Sequence, residues 1–386
     1  MKKISIFGAT GSIGNNACKI INESSSRYDV LVLSAKNNYK KLAINSKKLK
    51  ARYAVIKEKK YYKLLKAELD GTNTKCLCGE DELVSVACLK TDYTIASIVG
   101  IAGLKSAYNS IGNAKNLALA NKEALVCAGK IFMKRAKKLK TNILPLDSEH
   151  NALFQIMQND NINSIKNIVL TASGGPFWNK KIDFNKVSIQ DALQHPNWKM
   201  GKKITIDSAT MINKVLEKIE AAILFSLNLD KIDIVVHPRS IVHGVVNYID
   251  GNSMMLFSKP DMKIPINYAL NWPNRVKSNI NNIDLKKIKN LDFFDVSSKK
   301  FPSLGLFKYL YDKKFHHNRL IALNASNEIA VDCFLREKIK FLEIPKIIKN
   351  TLLEINNKNP KNINDVFDIH EEASKLSNIY VNKLST

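Results

Sequence analysis

The chain has 386 residues and a net charge of +25, with 45% hydrophobic and 25% charged residues. At roughly 100–200 residues per domain, this length predicts two or three domains, and the composition excludes a wholly disordered chain. No apolar run approaches the ~18 residues of a membrane helix, and strand-like residues follow Met1 at once. We therefore expect no membrane span, no targeting segment and a cytoplasmic protein.

The net charge of +25 raises the question of a nucleic-acid partner. A chain this basic could bind nucleic acid, but its lysines are spread among asparagine and isoleucine, as in residues 346–350, without a basic stripe and interleaved aromatic residues. We predict neither a nucleic-acid nor a membrane partner.

The six cysteines include Cys76 and Cys78 but no second pair at metal-binding spacing, so ordinary reduced thiols are expected.

Taken in chain order, the sequence divides into four parts. Residues 1–147 alternate apolar runs (4–7, 30–33, 53–56 and 93–98) with amphipathic stretches, which predicts an α/β domain with a doubly wound, Rossmann-like parallel sheet. Its motifs at 8–14 and 34–38 then make it the predicted NADP-binding domain. Residues 148–275 continue the α/β pattern with clustered polar motifs, and are predicted to be a catalytic domain that binds metal and substrate. Residues 276–302 lack periodicity and are predicted to be a linker. Residues 303–386 show a helical pattern only, as in 321–335 and 344–355, and predict an all-helical domain.

A glycine-rich segment follows the first predicted strand. Residues 8–14 (GATGSIG) place glycine at 8, 11 and 14, directly after a strand and at the start of a helix. This context is typical of a dinucleotide site, where glycine permits a tight turn and the helix N-terminus binds pyrophosphate.

The tip of the second predicted strand selects the cofactor. Residues 34–38 (SAKNN) contain no acid, whereas NAD-dependent enzymes usually place Asp or Glu there to bind the ribose 2′-hydroxyl. The cation of Lys36 and the amide of Asn37 suit a 2′-phosphate, so we predict NADP(H). A plain surface lysine is the alternative.

Two carboxylates lie two residues apart at the end of an apolar stretch. In extended backbone, Asp147 and Glu149 project to the same side and could bind one hard cation such as Mg²⁺ or Mn²⁺. A solvated turn is the alternative. Residues 207–217 are predicted to be a cap followed by a helix, on which Asn213, Lys214 and Glu217 share one face. Ser208, near the predicted helix N-terminus, would join them at a phosphate or sugar.

Two further loops carry functional side chains. Residues 173–177 (SGGPF) follow a predicted strand at 168–171, and their glycines would let backbone N–H groups face a ligand. Residues 195–201 (HPNWKMG) combine an imidazole, an indole and a thioether before a glycine, a composition that suits a lid over a site. An anchor for the loop is the alternative. We expect His237 and His243 to be structural.

These segments, in this order, resemble the 1-deoxy-D-xylulose 5-phosphate reductoisomerase family, of the methylerythritol phosphate route to isoprenoids. The resemblance covers nearly the whole chain. It rests on residues 8–14, 120–123, 144–152, 173–177, 195–201, 207–217, 260–262 and 324–328. It departs from the family's pattern at Ala35 and Val215, where glycine is frequent, and at Ser303 and Gly305.

The resemblance implies an enzyme that rearranges its substrate on a divalent metal ion and then reduces it with NADPH, and it implies a homodimer. Metal ligation by Mg²⁺, Mn²⁺ or Co²⁺ is implied for Asp147, Glu149 and Glu217. Direct catalytic roles are implied for Lys122, Asp147, Glu149, His195 and Glu217. Substrate binding is implied for Lys122, Ser148, Glu149, Ser173, His195, Ser208, Asn213, Lys214 and Glu217.

The resemblance also implies the cofactor site and a flap. Residues implied to line the NADPH site are Thr10, Gly11, Ser12, Ile13, Ala35, Lys36, Asn37, Asn121, Glu123, Gly201 and Met262. The flap over the substrate carries Trp198, Met200 and Gly201. The main alternative is another NADP-dependent reductase, such as a semialdehyde dehydrogenase, but that class needs a thioester-forming cysteine in an activating setting.

Overall fold

The computed structural model describes residues 1–158, 160–198, 200–312, 314–356 and 358–385. The chain forms two compact units, each built from segments that are far apart in sequence. The first comprises Met1–Ala124, Phe132–Phe154 and Asp261–Asn282, and the second comprises Leu125–Ile131, Gln155–Pro260 and Ile283–Thr386. The division of the sequence at residues 147, 275 and 302 stays a prediction.

A seven-stranded parallel sheet is the centre of the first unit. Its strands are β1 Lys2–Phe7, β2 Tyr28–Ala35, β3 Tyr53–Ile56, β4 Lys75–Cys78, β5 Thr91–Ala96, β6 Ala114–Leu119 and β7 Asn142–Pro145. The strand order is β4-β3-β2-β1-β5-β6-β7, so the winding reverses at β1. In such sheets the ligand binds beyond the carboxyl ends of the strands at the point of reversal. The predicted doubly wound fold is therefore confirmed.

Seven helices lie within residues 1–158. They are α1 Ser12–Glu23, α2 Tyr39–Leu49, α3 Tyr62–Glu68, α4 Glu80–Ala87, α5 Leu104–Ser110, α6 Lys122–Lys138 and α7 Ser148–Ile156. Helices between successive strands provide the crossover connections that a parallel sheet requires.

A four-stranded mixed sheet belongs to the second unit. Its strands are β8 Ile165–Ala172, β9 Ile232–Val236, β10 Val242–Tyr248 and β11 Ser253–Phe257, in the order β11-β10-β8-β9. The helices around this sheet in the sequence are α8 Ile189–Leu193, α9 Lys202–Thr210 and α10 Ile212–Leu224, and the next helix, α11 Lys263–Asn271, belongs to the first unit. β8 pairs in parallel with β9 and antiparallel with β10. β11 pairs with β10 alone and is therefore an edge strand.

The C-terminal part is helical, as predicted. Its helices are α12 Phe307–Leu310, α13 His317–Leu335, α14 Glu343–Glu354 and α15 Ile363–Ser385, with α13 packing against both α14 and α15. The structure adds a short antiparallel pair, β12 Tyr311–Asp312 with β13 Lys314–Phe315. None of the described helices combines the length and apolar character that crossing a membrane requires.

Helix α11 returns to the first unit from late in the sequence. It packs against α1, and Ile266 and Leu270 are fully buried in the same core as the residues of β1. Arg27 Nη2 donates to Asn271 Oδ1 at 2.8 Å, and the Tyr93 hydroxyl donates to the Trp272 carbonyl at 2.8 Å. These contacts anchor α11 beside the helix that follows the glycine-rich segment.

The strand predictions differ from the structure in two ways. All four strands predicted within residues 1–147 exist, but β5 ends at Ala96 rather than 98, and beyond its end the Ser97 hydroxyl donates to the Phe7 carbonyl at 2.8 Å. Strands β4, β6 and β7 were not predicted as strands. The sequences of β4 and β6, KCLC and AKNLAL, mix polar and apolar residues without a continuous apolar run, and β7 has only four residues.

Two glycines of the segment at 8–14 are required by the packing. Gly8 has φ +88°, and a Cβ there would lie 2.8 Å from the Ser97 carbonyl carbon. A Cβ on Gly14 would lie 2.2 Å from the Gly8 carbonyl oxygen and 2.7 Å from Ala9 Cα. At Gly11, where φ is −73°, the nearest such contact is an ordinary 3.5 Å. Gly8 and Gly14 thus let α1 approach the end of β1.

We predict that Gly14→Ala destabilises the first unit, since both clashing atoms are backbone and neither can rotate away. Overpacking of this kind costs about 1–3 kcal/mol, which corresponds to a Tm lower by roughly 5 °C. Gly11→Ala is the matched control and should change Tm by about 1 °C at most. Equal Tm values for the two variants in scanning calorimetry would contradict the packing argument.

Candidate active site

The turn after β1 leaves the start of α1 available to an anion. Gly11 is the N-cap residue of α1, no side chain caps the helix, and its first turn contains no acid. The first N–H groups of a helix point outward and carry partial positive charge. Gly11 and Ser12 are exposed and Thr10 is half-buried, whereas Ile13 packs against the core that also contacts Met262. These features fit a bound pyrophosphate.

The tip of β2 is joined to this turn. The Gly8 N–H donates to Ser34 Oγ at 3.1 Å, and the Ala9 N–H donates to the Ser34 carbonyl at 2.8 Å. Beyond the buried Ala35, the side chains of Lys36 and Asn37 are exposed. An exposed cation in a tip that lacks any acid fits the phosphate of NADPH rather than the free ribose of NADH.

The start of α6 combines a structural amide with a buried lysine. Asn121 caps α6 by accepting from the Ala124 N–H at 3.0 Å, and its Nδ2 donates to the Ile98 and Gly100 carbonyls at 2.7 and 2.9 Å. Lys122 follows, with its side chain 7% exposed and its Nζ 2.5 Å from Asp147 Oδ2. Glu123 is buried as well.

The carboxylates of Asp147 and Glu149 come together, but not on extended backbone. Helix α7 begins at Ser148, and the Asn151 N–H donates to the Asp147 carbonyl at 2.8 Å, so Asp147 directly precedes a helix and Glu149 lies in its first turn. Oxygens of the two carboxylates lie within 4.8 Å of each other, and the Ser148 hydroxyl donates to Glu149. The predicted extended geometry is therefore wrong. The helix N-terminus itself favours negative charge at these positions.

The charge state of Asp147 follows from its neighbours. Burial alone would raise the pKa of its carboxyl, but the positive charge of Lys122, with contributions from His150 and a hydrogen bond with Glu149, holds that pKa well below its usual range. Asp147 is thus an ionised oxygen donor at neutral pH. Ionised carboxylates are the ligands that hard divalent cations prefer.

In the second unit, Ser173 and His195 form a hydrogen-bonded pair. His195 Nδ1 accepts from the N–H groups of Asn197 and Trp198 at 3.2 and 3.0 Å, so this nitrogen carries no proton. The proton of the neutral ring lies on Nε2, which donates to Ser173 Oγ at 2.8 Å. Ser173 Oγ also accepts from the Gly175 N–H at 3.2 Å. Both lone pairs of the hydroxyl are therefore engaged, which leaves its hydrogen to donate to a ligand.

The glycine loop differs from its prediction. We expected N–H groups at 174 and 175 to face a ligand, but the Gly175 N–H binds the Ser173 side chain instead. Gly174 and Gly175 have φ values of +82° and +65°. The glycines thus shape the turn that presents Ser173 after β8.

The polar residues of 207–217 lie on two helices rather than one. Met211 adopts the left-handed conformation, with φ +63°, and separates α9 from α10. Asp207 is therefore inside α9 rather than a cap, and Ser208 lies near the C-terminal end of α9, so the predicted cap and the predicted N-terminal site at Ser208 are wrong. Methionine gives no sequence signal for such a break, because left-handed backbone is typical of glycine and asparagine.

The predicted shared face of α10 is confirmed. Asn213 Nδ2 and Lys214 Nζ both donate to the carboxylate of Glu217, and Lys214 Nζ also donates to the Thr171 carbonyl at 2.7 Å. Lys214 and Glu217 are 4% and 1% exposed. The sequence did not indicate Thr171 as a partner, because a backbone carbonyl leaves no residue-type signal.

Hydrogen bonds hold the loop at 195–201 near its centre. Asn197 Nδ2 donates to the Pro238 carbonyl at 2.5 Å and to Ser240 Oγ at 2.9 Å. Trp198 and Met200 are half-buried and Gly201 is exposed, while Lys199 lies outside the described residues. His237 and His243 have structural hydrogen bonds, to the Asp292 carbonyl and to Ser258.

The chain is similar to known proteins over almost all of its length. Models of the 1-deoxy-D-xylulose 5-phosphate reductoisomerase family match residues 4–129, and models of its C-terminal domains match residues 143–225 and 257–376. Relatives named 1-deoxy-D-xylulose 5-phosphate reductoisomerase include one from Wolbachia pipientis subsp. Culex pipiens, 45% identical over 98% of this chain and 97% of that protein. Another, from Ehrlichia canis, is 43% identical over the full length of both.

Solved structures of the same enzyme superpose closely. The structure of 1-deoxy-D-xylulose 5-phosphate reductoisomerase from Zymomonas mobilis in complex with NADPH has a TM-score of 0.92 and 39% identity, and the match covers 98% of this chain and 99% of that one. A DOX-P reductoisomerase in complex with NADPH, fosmidomycin and magnesium also has a TM-score of 0.92, with 36% identity, over 99% of this chain and 98% of that one.

We predict that His195 stays neutral in the folded protein down to mildly acidic pH. Burial, and then the positive charge of Lys214, lower the pKa of His195 from 6.5 to about 4. Its stabilising contribution is therefore complete above pH 6.5, falls as the unfolded chain takes up a proton between pH 6.5 and 4, and is lost below 4. Titration of the ring by NMR should show a proton on Nε2 and a midpoint near 4.

Lys214→Met provides the matched comparison, since it removes the charge and keeps the length of the side chain. The His195 midpoint should then rise, while staying below 6.5 because burial is the larger cause. A wild-type midpoint of 6.5, or a proton on Nδ1, would contradict the hydrogen-bond assignment.

Proposed function

The chain belongs to the 1-deoxy-D-xylulose 5-phosphate reductoisomerase family, and on that premise we propose how its residues carry out the family's reaction. The protein is an NADPH- and divalent-metal-dependent enzyme that converts 1-deoxy-D-xylulose 5-phosphate to 2-C-methyl-D-erythritol 4-phosphate, in the methylerythritol phosphate route to isoprenoids. The observation that carries this function is similarity to enzymes of that name along the whole chain.

We propose that the carboxylates of Asp147, Glu149 and Glu217 hold one Mg²⁺, Mn²⁺ or Co²⁺ ion. The donor set fits a hard cation, because all three ligands are carboxylate oxygens and Asp147 is kept ionised. The bound ion supplies a Lewis acid that stabilises negative charge developing on the substrate oxygens. Lys122 is ion-paired to Asp147 and would donate a hydrogen bond to the reacting part of the substrate.

The substrate phosphate is proposed to bind Ser173, Ser208, Asn213 and Lys214. Ser173 supports this role, because His195 and Gly175 donate to its oxygen and thereby direct its hydroxyl hydrogen outward. Ser148 and His195 are proposed to contact the other oxygens of the substrate. A neutral His195 avoids placing a second fixed positive charge beside Lys214.

The cofactor is proposed to bind across the turn after β1 and the tip of β2. When bound, NADPH supplies the hydride for the reductive step. The uncapped start of α1 and the exposed Lys36 support the pyrophosphate and 2′-phosphate positions. The residues proposed to line this site are Thr10, Gly11, Ser12, Ile13, Ala35, Lys36, Asn37, Asn121, Glu123, Gly201 and Met262.

Water has to be excluded while the substrate rearranges. We propose that Trp198, Met200 and Gly201 form a flap that closes over the substrate, with its anchor at Asn197. Binding energy from the phosphate, which takes no part in bond making, would drive this closure.

A thioester mechanism finds no support in the cysteines whose pKa shifts are resolved. Burial raises the pKa of the Cys18 thiol to about 12, and burial also raises the pKa of Cys76 and Cys333. A reactive cysteine needs the opposite, a lowered pKa that gives thiolate at neutral pH.

We predict that Glu149→Gln lowers kcat at least about 100-fold, since it removes a charged ligand for the ion that stabilises developing charge. The Kd for NADPH, measured by fluorescence titration, should stay within about twofold, because no proposed cofactor contact changes. Glu68→Gln, at an exposed position on α3, is the matched control and should leave kcat unchanged. A Glu149→Gln variant with wild-type turnover would contradict the proposal that Glu149 binds the metal ion.

We further propose a homodimer and a cytoplasmic location. The edge strand β11 supports the dimer, because Met254, Met255 and Phe257 on it are 55%, 42% and 41% exposed. Natural proteins cover or charge the edges of their sheets, and exposed apolar patches mark interaction sites.

A cytoplasmic location predicts that the protein separates from membranes in cell fractionation.

We predict that Met254→Lys combined with Phe257→Lys shifts the protein from dimer to monomer in sedimentation velocity at micromolar concentration. Two charges on a covered apolar strand would each have to be desolvated on association. Leu64→Lys is the control, since Leu64 is an apolar residue 46% exposed on a helix, α3, and not on β11. A monomeric wild type, or a double variant that stays dimeric, would refute this surface.

A further inference from the structure

Helix α9 presents one accessible hydroxyl from a buried segment. Within residues 205–210, Ser208 is half-buried, and the other five residues are at most 4% exposed. The left-handed Met211 ends the helix three residues after Ser208. The position of the Ser208 hydroxyl therefore depends on what holds the buried residues around it.

Asp207, next to Ser208, is a buried carboxylate held from two directions. Its Oδ2 lies 2.7 Å from Lys203 Nζ, one turn earlier on α9, and its Oδ1 accepts from Asn327 Nδ2 of α13 at 2.9 Å. Asp207 is 1% exposed and Asn327 is fully buried. A buried carboxylate is costly unless both oxygens have partners, so these contacts fix its position. We call Lys203, Asp207 and Asn327 the Asp207 clamp.

The Ser208 backbone is also held from the side of the glycine loop. A Cβ on Gly175 would lie 2.8 Å from the Ser208 carbonyl oxygen, so the two backbones are in close contact there. The N–H of the same Gly175 donates to Ser173 Oγ. The backbone that carries Ser208 and the loop that carries Ser173 are thus packed directly against each other.

We propose that Asp207 is a positioning residue, which acts through Lys203 and Asn327 to fix the distance between the Ser208 and Ser173 hydroxyls that bind the substrate phosphate. This inference rests on the proposed function of those two serines. No member of the Asp207 clamp needs to touch the substrate. Loosening the clamp weakens phosphate binding, because two donors that must converge on one anion lose their fixed separation.

The same helix offers a matched control. Asn324, one turn before Asn327 on α13, is also fully buried, and its Nδ2 donates to the carboxylate of Glu328 at 3.0 Å. Asn324→Ala and Asn327→Ala therefore each remove one amide–carboxylate hydrogen bond made by a buried asparagine of α13. Only Asn327→Ala removes a hydrogen bond to Asp207.

The experiment compares KM for 1-deoxy-D-xylulose 5-phosphate, the Kd for NADPH and Tm in these variants. Asn327→Ala should raise KM about tenfold, the equivalent of about one hydrogen bond to a charged group, with the Kd for NADPH unchanged. Asn324→Ala should lower Tm by a similar amount and leave KM within about twofold. Lys203→Met, at a side chain 22% exposed, should raise KM severalfold and serves if Asn327→Ala does not fold.

A second readout is independent of turnover. Inorganic phosphate should raise the Tm of the wild type and of Asn324→Ala, but raise that of Asn327→Ala and Lys203→Met by clearly less. If Asn327→Ala and Asn324→Ala change KM and the phosphate shift equally, Asp207 is merely structural and the inference is overturned. A wild type that shows the phosphate shift but does not convert the sugar phosphate would instead overturn the proposed function alone.

Discussion

Removing a lysine or a carboxylate from water costs several kcal/mol unless a partner compensates. Within the described residues, three lysines that are buried or half-buried pair with carboxylates. Lys122 pairs with Asp147 at 2.5 Å, Lys203 with Asp207 at 2.7 Å, and Lys214 with Glu217. Each carboxylate is a proposed ligand of the metal or lies next to a proposed phosphate contact. Because breaking one pair would leave an uncompensated buried charge, these side chains are held in place before any substrate binds.

The local structure around these pairs follows from where helices begin and end. Asp147 directly precedes α7, Glu149 lies in its first turn, and Lys214 lies in the first turn of α10. Helix ends carry unpaired backbone groups, so they concentrate charge recognition at a few positions. The site therefore needs short helices with sharp boundaries, and the left-handed Met211 provides one of them.

Much of the fold could be predicted from sequence. Buried parallel strands are largely apolar runs, as in 4–7 and 30–33. The glycines at 8 and 14 mark a turn that tolerates no Cβ. The geometry around Asp147 and Glu149 could not be predicted. Whether residues 147–149 are extended or helical depends on where α7 begins, and the break at Met211 has no residue-type signal. The Asn327–Asp207 hydrogen bond joins positions 120 residues apart, which no local pattern reveals.

The departures from the family's sequence pattern can now be placed in the structure. Val215 lies inside α10 and is fully buried, so its side chain packs where glycine would leave space. Ala35 ends β2 and is 6% exposed, while the exposed cation at the tip comes from Lys36. Neither substitution removes a proposed ligand or hydrogen-bond donor.

The most direct test of the account is NADPH absorbance in the presence of 1-deoxy-D-xylulose 5-phosphate and Mg²⁺ or Mn²⁺, with and without a chelator. We expect oxidation of NADPH that requires both the sugar phosphate and the ion, and that stops when the chelator is added. Folded protein that binds NADPH but does not oxidise it under these conditions, or oxidation that the chelator leaves unchanged, would contradict it.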